Sequence, residues 1–502
     1  MRTVAPQDAT IYWLSGRTRN DLFLLYCFTD TGLPTVRLRQ FVAERSAAIP
    51  DLRVRLRAVP GDLGYPSWVR CESAPGQFVE HRLAQPDWAG LSAALGELAG
   101  TGVDAAVRPW RLHVFRGISG VPGIEGDSAL VAVLQMSHAL ADGRRGAAIA
   151  RALFADPAAL TDSAPRAHPA PASVADSVRD LGPLADFGLP GLSELLRRTT
   201  EFGGLACRSG SRLMAAAARR GPVDPALVDA LVRIPVQLAK TALRGFDAYR
   251  AQQELAALTA TGALPAPGPG FPPTMVNGVT AKGVSGHRIR MIVCSADRLR
   301  APGRTVTVVV LTAVSVALTS YLEEHGERVD RLGAQVPMAL PGNAIAAHNN
   351  YRSLGIDLHV GEPDLRARAA RIAEALVQRG IRARHPLLAA QDRVTAVTPA
   401  PLLRRDVDHY PIDTVPESIA GHTVVSSVHR GPADLTFGGG RVRFTAGFPA
   451  IGSVMRLTHG VHGIGDTVTV SVHADAAALP DLDRYTELLR TALHGIGSAL
   501  TP

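Results

Sequence analysis

An uncharged run, Ala129 to Met136 (ALVAVLQM), ends abruptly at Ser137-His138-Ala139-Leu140-Ala141-Asp142-Gly143. A short, mainly apolar run bounded by a turn predicts a strand buried on both faces. Gly146 to Leu153 then carries a helical pattern. His138 is thereby placed where a buried strand gives way to a turn. Loops held by rigid elements are where chemistry concentrates. Imidazole is a base that works near neutral pH. Asp142, four residues on, is expected to fix the turn, and Gly143 to let the backbone bend without a Cβ clash. A plainer reading of the same residues makes Asp142 a helix N-cap and His138 a satisfied buried histidine.

Two breaker-rich stretches divide the chain. Asp156 to Ser173 is rich in Ala, Pro and Asp, and Leu264 to Pro273 reads LPAPGPGFPP. With 502 residues there is room for two domains around them. The predicted organisation is a lobe over 1–155, a helical, Pro-flanked linker region over 156–273, and a second lobe over 274–502. In the first lobe, Leu22–Phe28, Leu52–Leu56, Phe78–Leu83 and Arg108–Phe115 read as strands, and Leu38–Ile49 and Trp88–Leu98 as helices. In the second, strands are predicted at Arg288–Cys294, Leu332–Met338, Ser353–Val360, Thr423–Val428, Val442–Ala446 and Thr467–Val472. Helices are predicted at Pro363–Arg379 and Leu482–Leu500, and a hairpin turn at Gly438-Gly439-Gly440. Strands and helices mix without a regular βαβ repeat, so the expected class is α/β with large mixed sheets.

Between the breakers, Leu192–Arg198 and Leu227–Tyr249 are amphipathic, the second with Arg233, Lys240, Arg244 and Arg250 nearby. One reading is a helical bridge packed on the core; the sharper one is a surface that docks on lipid. Thr305 to Leu322 is uncharged and long enough to span a bilayer. About a third of it is Thr and Ser, and the expectation is a buried core helix or strand–helix.

The formal charge is +8, carried almost wholly by Arg, with Lys only at Lys240 and Lys282. That excess suits an anionic partner. No RNP, zinc-finger or Lys/Arg block supports nucleic acid. Cys27, Cys71, Cys207 and Cys294 are far apart and make no CxxC pair, so neither a metal nor a disulfide framework is expected. No signal peptide is read at the N-terminus, and a reduced cytoplasmic setting, with peripheral membrane association, is the expectation. His348, His422, His429, His459 and His462 have no HExxH spacing and read as core or solvated histidines. No GxSxG elbow points to a serine nucleophile.

Several stretches together resemble the bacterial wax ester synthase/diacylglycerol acyltransferase family. They are the opening Val4-Ala5-Pro6-Gln7-Asp8-Ala9, Arg108-Pro109-Trp110-Arg111-Leu112-His113, the SHALADG turn and Thr274-Met275-Val276-Asn277-Gly278. Val336-Pro337, Asn350 and Val425-Ser426-Ser427-Val428-His429-Arg430-Gly431-Pro432 complete the set in order. The resemblance implies two chloramphenicol-acetyltransferase-like mixed-sheet lobes joined by a helical linker, with the catalytic His between them. It implies acyl-CoA as co-substrate, no bound cofactor or metal, and an acceptor alcohol or diacylglycerol. A peripheral membrane or lipid-droplet surface is a further expected partner. The role it implies for His138 is general base, and for Asp142 and Gly143 shaping of the site. Ser137, Ser426, Ser427 and Asn350 are expected substrate-binding residues, with Ser426 or Ser427 a candidate donor to the tetrahedral oxyanion.

Three departures bear on the substrate. Ser137 replaces the family's first His, Thr307-Val308 its Asn-Asp pair, and Ser427 its late Asn, with one extra residue before Gly431-Pro432. The leading expectation is an acyl-CoA-dependent O-acyltransferase making triacylglycerol or wax ester. The alternatives are the same chemistry on a polyketide or sugar hydroxyl, and a catalytically silent lipid-binding scaffold of the same fold.

Overall fold

A computed structural model describes residues 2–155, 225–278, 286–341 and 347–500. The earlier part runs β1 (Arg2–Thr3), α1 (Pro6–Ser15), β2 (Leu22–Thr29), α2 (Thr35–Ala48), β3 (Val54–Arg57), β4 (Ser67–Arg70), β5 (Phe78–His81), α3 (Trp88–Ala99), β6 (Trp110–Ile118), β7 (Ala129–Met136) and α4 (Gly143–Phe154). The later part runs α5 (Pro225–Ala260), β8 (His287–Ser295), α6 (Val306–Glu324), β9 (Gly333–Ala339), β10 (Tyr351–Asp357), α7 (Leu365–Ala383), α8 (Ala389–Val397), α9 (Ala400–Asp408), β11 (Thr423–His429), β12 (Thr436–Phe437), β13 (Gly440–Gly447), β14 (Leu457–Ile464), β15 (Thr467–Asp475) and α10 (Leu482–Leu500). The amphipathic piece predicted at Leu192–Arg198 lies outside the described residues.

The architecture is mixed α/β, built on two six-stranded sheets. The first has strand order β12-β13-β2-β7-β6-β5 and the second β10-β9-β11-β14-β15-β8. A small third sheet, β1-β4-β3, flanks them. The segments 1–155 and 274–502 do not each keep to one sheet: the hairpin β12–β13 leaves the later part and pairs through β13 with β2. Gly438 (φ 63°) and Gly439 (φ 80°) make its turn, where both positions need the left-handed region that glycine enters without strain.

β7 is central because its neighbours leave it no solvent. It pairs antiparallel with β2 on one side and β6 on the other, and all eight residues are buried. Alternate side chains point to opposite faces. Leu130, Ala132, Leu134 and Met136 pack with Leu38 of α2 and Ile149 and Leu153 of α4. Ala129, Val131 and Val133 pack with Leu91 and Leu95 of α3, and with Ile289 and Met291 of β8 from the second sheet. Each such aliphatic side chain contributes about 1.5–3 kcal/mol when fully buried.

The apolar stretch 305–322 is helix α6, capped at Thr305, and it lies in the second core against α10 and the second sheet. By length and composition this helix could cross a membrane. Two of its buried hydroxyls turn back on the helix, Thr312 donating to the Val308 carbonyl (2.8 Å) and Ser315 to that of Thr312 (2.7 Å), so these two enter the core satisfied.

Candidate active site

Met136 is the last residue of β7, and the next backbone N–H, of Ser137, donates to the Pro109 carbonyl at 2.8 Å. Leu140 N–H closes the turn on the Ser137 carbonyl at 2.9 Å. The Pro109-Trp110 motif thus anchors the start of the turn, and the Trp110 indole is itself buried, donating to the Leu52 carbonyl at 2.9 Å. Ser137, Ala139, Leu140 and Ala141 are buried, whereas His138 between them is partly exposed. His138 is thus the one residue of 137–141 that keeps some exposure, with its Nδ1 buried.

Asp142 is the N-cap of α4. Its Oδ1 accepts from the Arg145 N–H at 2.8 Å, and its Oδ2 accepts from the Asn350 N–H at 3.5 Å. Its own N–H donates to the His348 carbonyl at 3.3 Å. The plainer reading is thus right about the cap and incomplete, because the same carboxylate also holds a loop from the later part of the chain. His138 Nδ1 is buried and makes no well-formed hydrogen bond among the described residues, although its own carbonyl and the Asn349 side chain lie close enough to favour its protonated form. Gly143 needs a correction of reason. It is the first residue of α4 and has no positive φ. A Cβ there would stand 3.5 Å from Val428 Cγ2, so Gly143 sits where the end of β11 passes close to α4.

The loop before β10 completes the site. Asp8 on α1 accepts from the His348 N–H (2.7 Å), the Asn349 N–H (3.2 Å) and Asn349 Nδ2 (2.8 Å). Asn349 Nδ2 also donates to the His138 carbonyl at 2.8 Å. The Tyr351 ring lies beside the His138 ring, centroids 6.2 Å apart, and the His348 ring stacks on Trp68 of β4 at 5.5 Å. Asn350, the residue expected at this site, turns its side chain away and donates to the Leu340 carbonyl at 3.2 Å; only its backbone reaches Asp142. The asparagine whose side chain reaches the turn is its neighbour, Asn349. Asp8, within the quoted opening motif, is the second residue that the sequence reading left without a role.

Burial lowers the His138 pKa below its ordinary value, and the nearby Asp142 charge opposes that only in part. The lowered pKa favours the neutral imidazole, the form that can accept a proton. Burial pushes the Asp8 carboxyl up to about 7 despite the hydrogen bonds that it accepts. Tyr351 is pushed up to about 12 by burial and by the charges of Asp142 and Asp8.

Ser426 and Ser427 lie on β11, opposite Gly460 and Val461 of β14. Ser426 is half-buried and Ser427 exposed, and neither side chain has a hydrogen bond among the described residues. Their strand reaches the site through Val428, and the structure gives neither serine a contact with His138. The extra residue of the late motif, Arg430, is buried and donates to the Ala446 carbonyl of β13 at 2.8 Å, tying β11 to the first sheet. Asn277 is a buried brace, donating to the His422 carbonyl at 3.2 Å. His459 is satisfied by Thr423 and Tyr485 at 2.9 and 2.8 Å, His422 by Gly333 and Pro272 at 3.0 Å each, and His429 is exposed. Among the described residues no group of three or more His, Cys, Asp or Glu is placed to hold a metal.

Two family models match the chain. The wax ester synthase/diacylglycerol acyltransferase catalytic domain covers residues 5–253, and the C-terminal domain of the same family covers residues 349–497. Among solved structures, a wax ester synthase/diacylglycerol acyltransferase from Marinobacter aquaeolei VT8 superposes with a TM-score of 0.59 at 18% identity, over 100% of both chains. A mutant starter condensation domain of rhizomide synthetase, in complex with C8-CoA and Leu-SNAC, gives 0.51 at 12% identity, over 99% of this chain and 94% of that one. A second mutant of that domain, in complex with C8-CoA, gives the same score, identity and coverage. These structures share the fold of two acyltransferase lobes.

Proposed function

The chain belongs to the wax ester synthase/diacylglycerol acyltransferase family and is an acyl-CoA-dependent acyltransferase; from that premise we propose that it esterifies a lipid hydroxyl, with His138 as general base. The product class is a neutral lipid ester, triacylglycerol from diacylglycerol or wax ester from a long-chain alcohol. The observation that carries the reading is the placement of His138 in the turn that ends the central strand, where burial favours its neutral form.

In the proposed reaction the acceptor oxygen attacks the thioester carbonyl carbon as His138 removes the hydroxyl proton. The carbonyl π pair moves onto oxygen. When that intermediate collapses, the C–S bond breaks and the CoA thiolate takes the proton back from His138. Positioned general acid–base catalysis of this kind supplies about 10²–10⁴-fold. Asp142 shapes the turn and does not touch substrate. Ser426 or Ser427 remains the proposed donor to the oxyanion, only one of them facing any given side of β11.

The departures at Ser137 and Thr307-Val308 favour one second reading, a specialised hydroxyl such as that of a polyketide or sugar. Mass spectrometry of the products from purified protein, acyl-CoA and either diacylglycerol or a long-chain alcohol separates the two. An ester of either lipid supports the first reading. Acyl-CoA consumed only with a polyketide or sugar acceptor replaces it with the second.

We also infer that α5 docks on a lipid surface. Its inner face packs on α8 through Ala248 and Ala251 against Ala390 and Val394. Its outer face exposes Val232, Val236, Leu243 and Phe246 at helical spacing, with Arg233, Lys240, Arg244 and Arg250 exposed around them. An apolar stripe flanked by cations suits the boundary of an anionic membrane or lipid droplet.

A further inference from the structure

Asp8 and Asn349 lie far apart in sequence and meet at the back of His138. Asp8 is on the first turn of α1, 1% exposed. Asn349 is 2% exposed and lies in the loop that enters the second sheet. The orientation of its amide is fixed by chemistry, because both groups facing Nδ2 are acceptors: the Asp8 carboxylate and the His138 carbonyl. Asp8 in turn holds the loop through the His348 and Asn349 N–H groups. Burying a carboxylate this deeply is costly unless its oxygens are occupied, and here the loop occupies both. Asp142 makes a second tie to the same loop, through the His348 carbonyl and the Asn350 N–H. The turn from the His138 carbonyl to Asp142 is therefore gripped from one loop of the later part of the chain.

We infer that Asp8 and Asn349 are positioning residues that fix the His138 backbone across the lobe junction, so that the base is aimed only when the loop at 347–350 is seated. The inference rests on the base role proposed for His138. Neither residue is given a part in the proton transfer, although the Asn349 side chain also lies near the His138 ring. Their effect is on the angle of the imidazole, and a misplacement of about 1 Å at a reacting group costs about 100-fold in rate. Substrate affinity, set elsewhere, is left alone.

The test separates aim from stability. Kinetics and thermal melts are compared for wild type, Asn349→Asp, Asp8→Asn and the double variant Asp8→Asn/Asn349→Asp. Asn349→Asp sets two carboxylates face to face and removes the donor to His138. Its kcat should fall about 100-fold with KM for acyl-CoA within about twofold. The double variant restores a donor–acceptor pair between positions 8 and 349, so its melting temperature should recover towards wild type. Its kcat should stay low, because a carboxylate at 349 has no N–H for the His138 carbonyl. Recovery of kcat along with the melting temperature would show the pair to be merely structural and overturn the inference. Should Asn349→Asp not fold, Asn349→Ala carries the same test, with wild-type kcat as the contradicting result. His138→Ala, run alongside, keeps the two proposals apart: full activity there would refute the base role whatever the pair does.

Discussion

Asn349 Nδ2 donates to the backbone carbonyl of His138 at 2.8 Å, across 211 positions of sequence. The bond joins the loop ahead of one sheet to the turn that ends the central strand of the other. It places the candidate base under the control of both lobes, and its consequences can be measured.

The acid limb of kcat/KM should have its midpoint below 6.5, the ordinary histidine value. Burial disfavours the imidazolium, so the base stays neutral to lower pH and activity falls only as pH drops through the lowered pKa. Asp142→Asn withdraws the charge that supports the protonated ring and should move the midpoint lower still. A limb centred above 6.5 would contradict the burial described for His138.

Asp142→Ala removes the N-cap of α4. Caps of this type contribute about 1 kcal/mol, and urea unfolding should show a loss of that order. Asp142→Asn can still accept from the Arg145 N–H and should keep most of the stability. Equal losses for the two variants would mean that the cap contributes little.

Asp8 makes stability depend on pH in a stated direction. The folded protein keeps the Asp8 proton up to about 7, whereas the unfolded chain releases it near 3.8. Between those values the folded state binds more protons, so the Asp8 contribution to stability falls as pH rises. Thermal melts from pH 5 to pH 8 should therefore flatten in Asp8→Asn relative to wild type. An unchanged slope would place the Asp8 pKa near its ordinary value.

Leu243→Asp and Phe246→Asp put charge on the outer stripe of α5, where both side chains are exposed, 70% and 49%. Flotation with anionic vesicles should fall about tenfold or more in either variant, while activity on a soluble acceptor is retained. Wild-type binding should weaken as salt rises. Flotation equal to wild type would remove the helix from the lipid contact.

Much of the fold was legible where one physical signal dominates. β2, β7 and α6 are long apolar runs, and α7 and α10 carry their period openly. β14 escaped because His459, Gly460, His462 and Gly463 interrupt its alternation, although the strand is buried along its whole length. His459 meets Thr423 and Tyr485 on other elements, which periodicity does not encode. The crossing of β12–β13 into the first sheet was hidden for the same reason, since a hairpin signal says nothing of which sheet receives it. At the site, His138 and Asp142 stood out through one local motif. Asn349, not Asn350, turns its side chain to the His138 carbonyl, and two adjacent asparagines look alike until a backbone decides which one faces that turn. Asp8 lies within the opening motif, but its contact is with a loop that follows it by 340 residues, which no local pattern shows.

The most direct measurement is thiol release from a long-chain acyl-CoA by purified wild type and His138→Ala, each with diacylglycerol, with a long-chain alcohol and with no acceptor. The account predicts release that depends on one of the two lipids and falls at least about 100-fold in the variant. Release by His138→Ala equal to wild type, with both proteins folded, would contradict it.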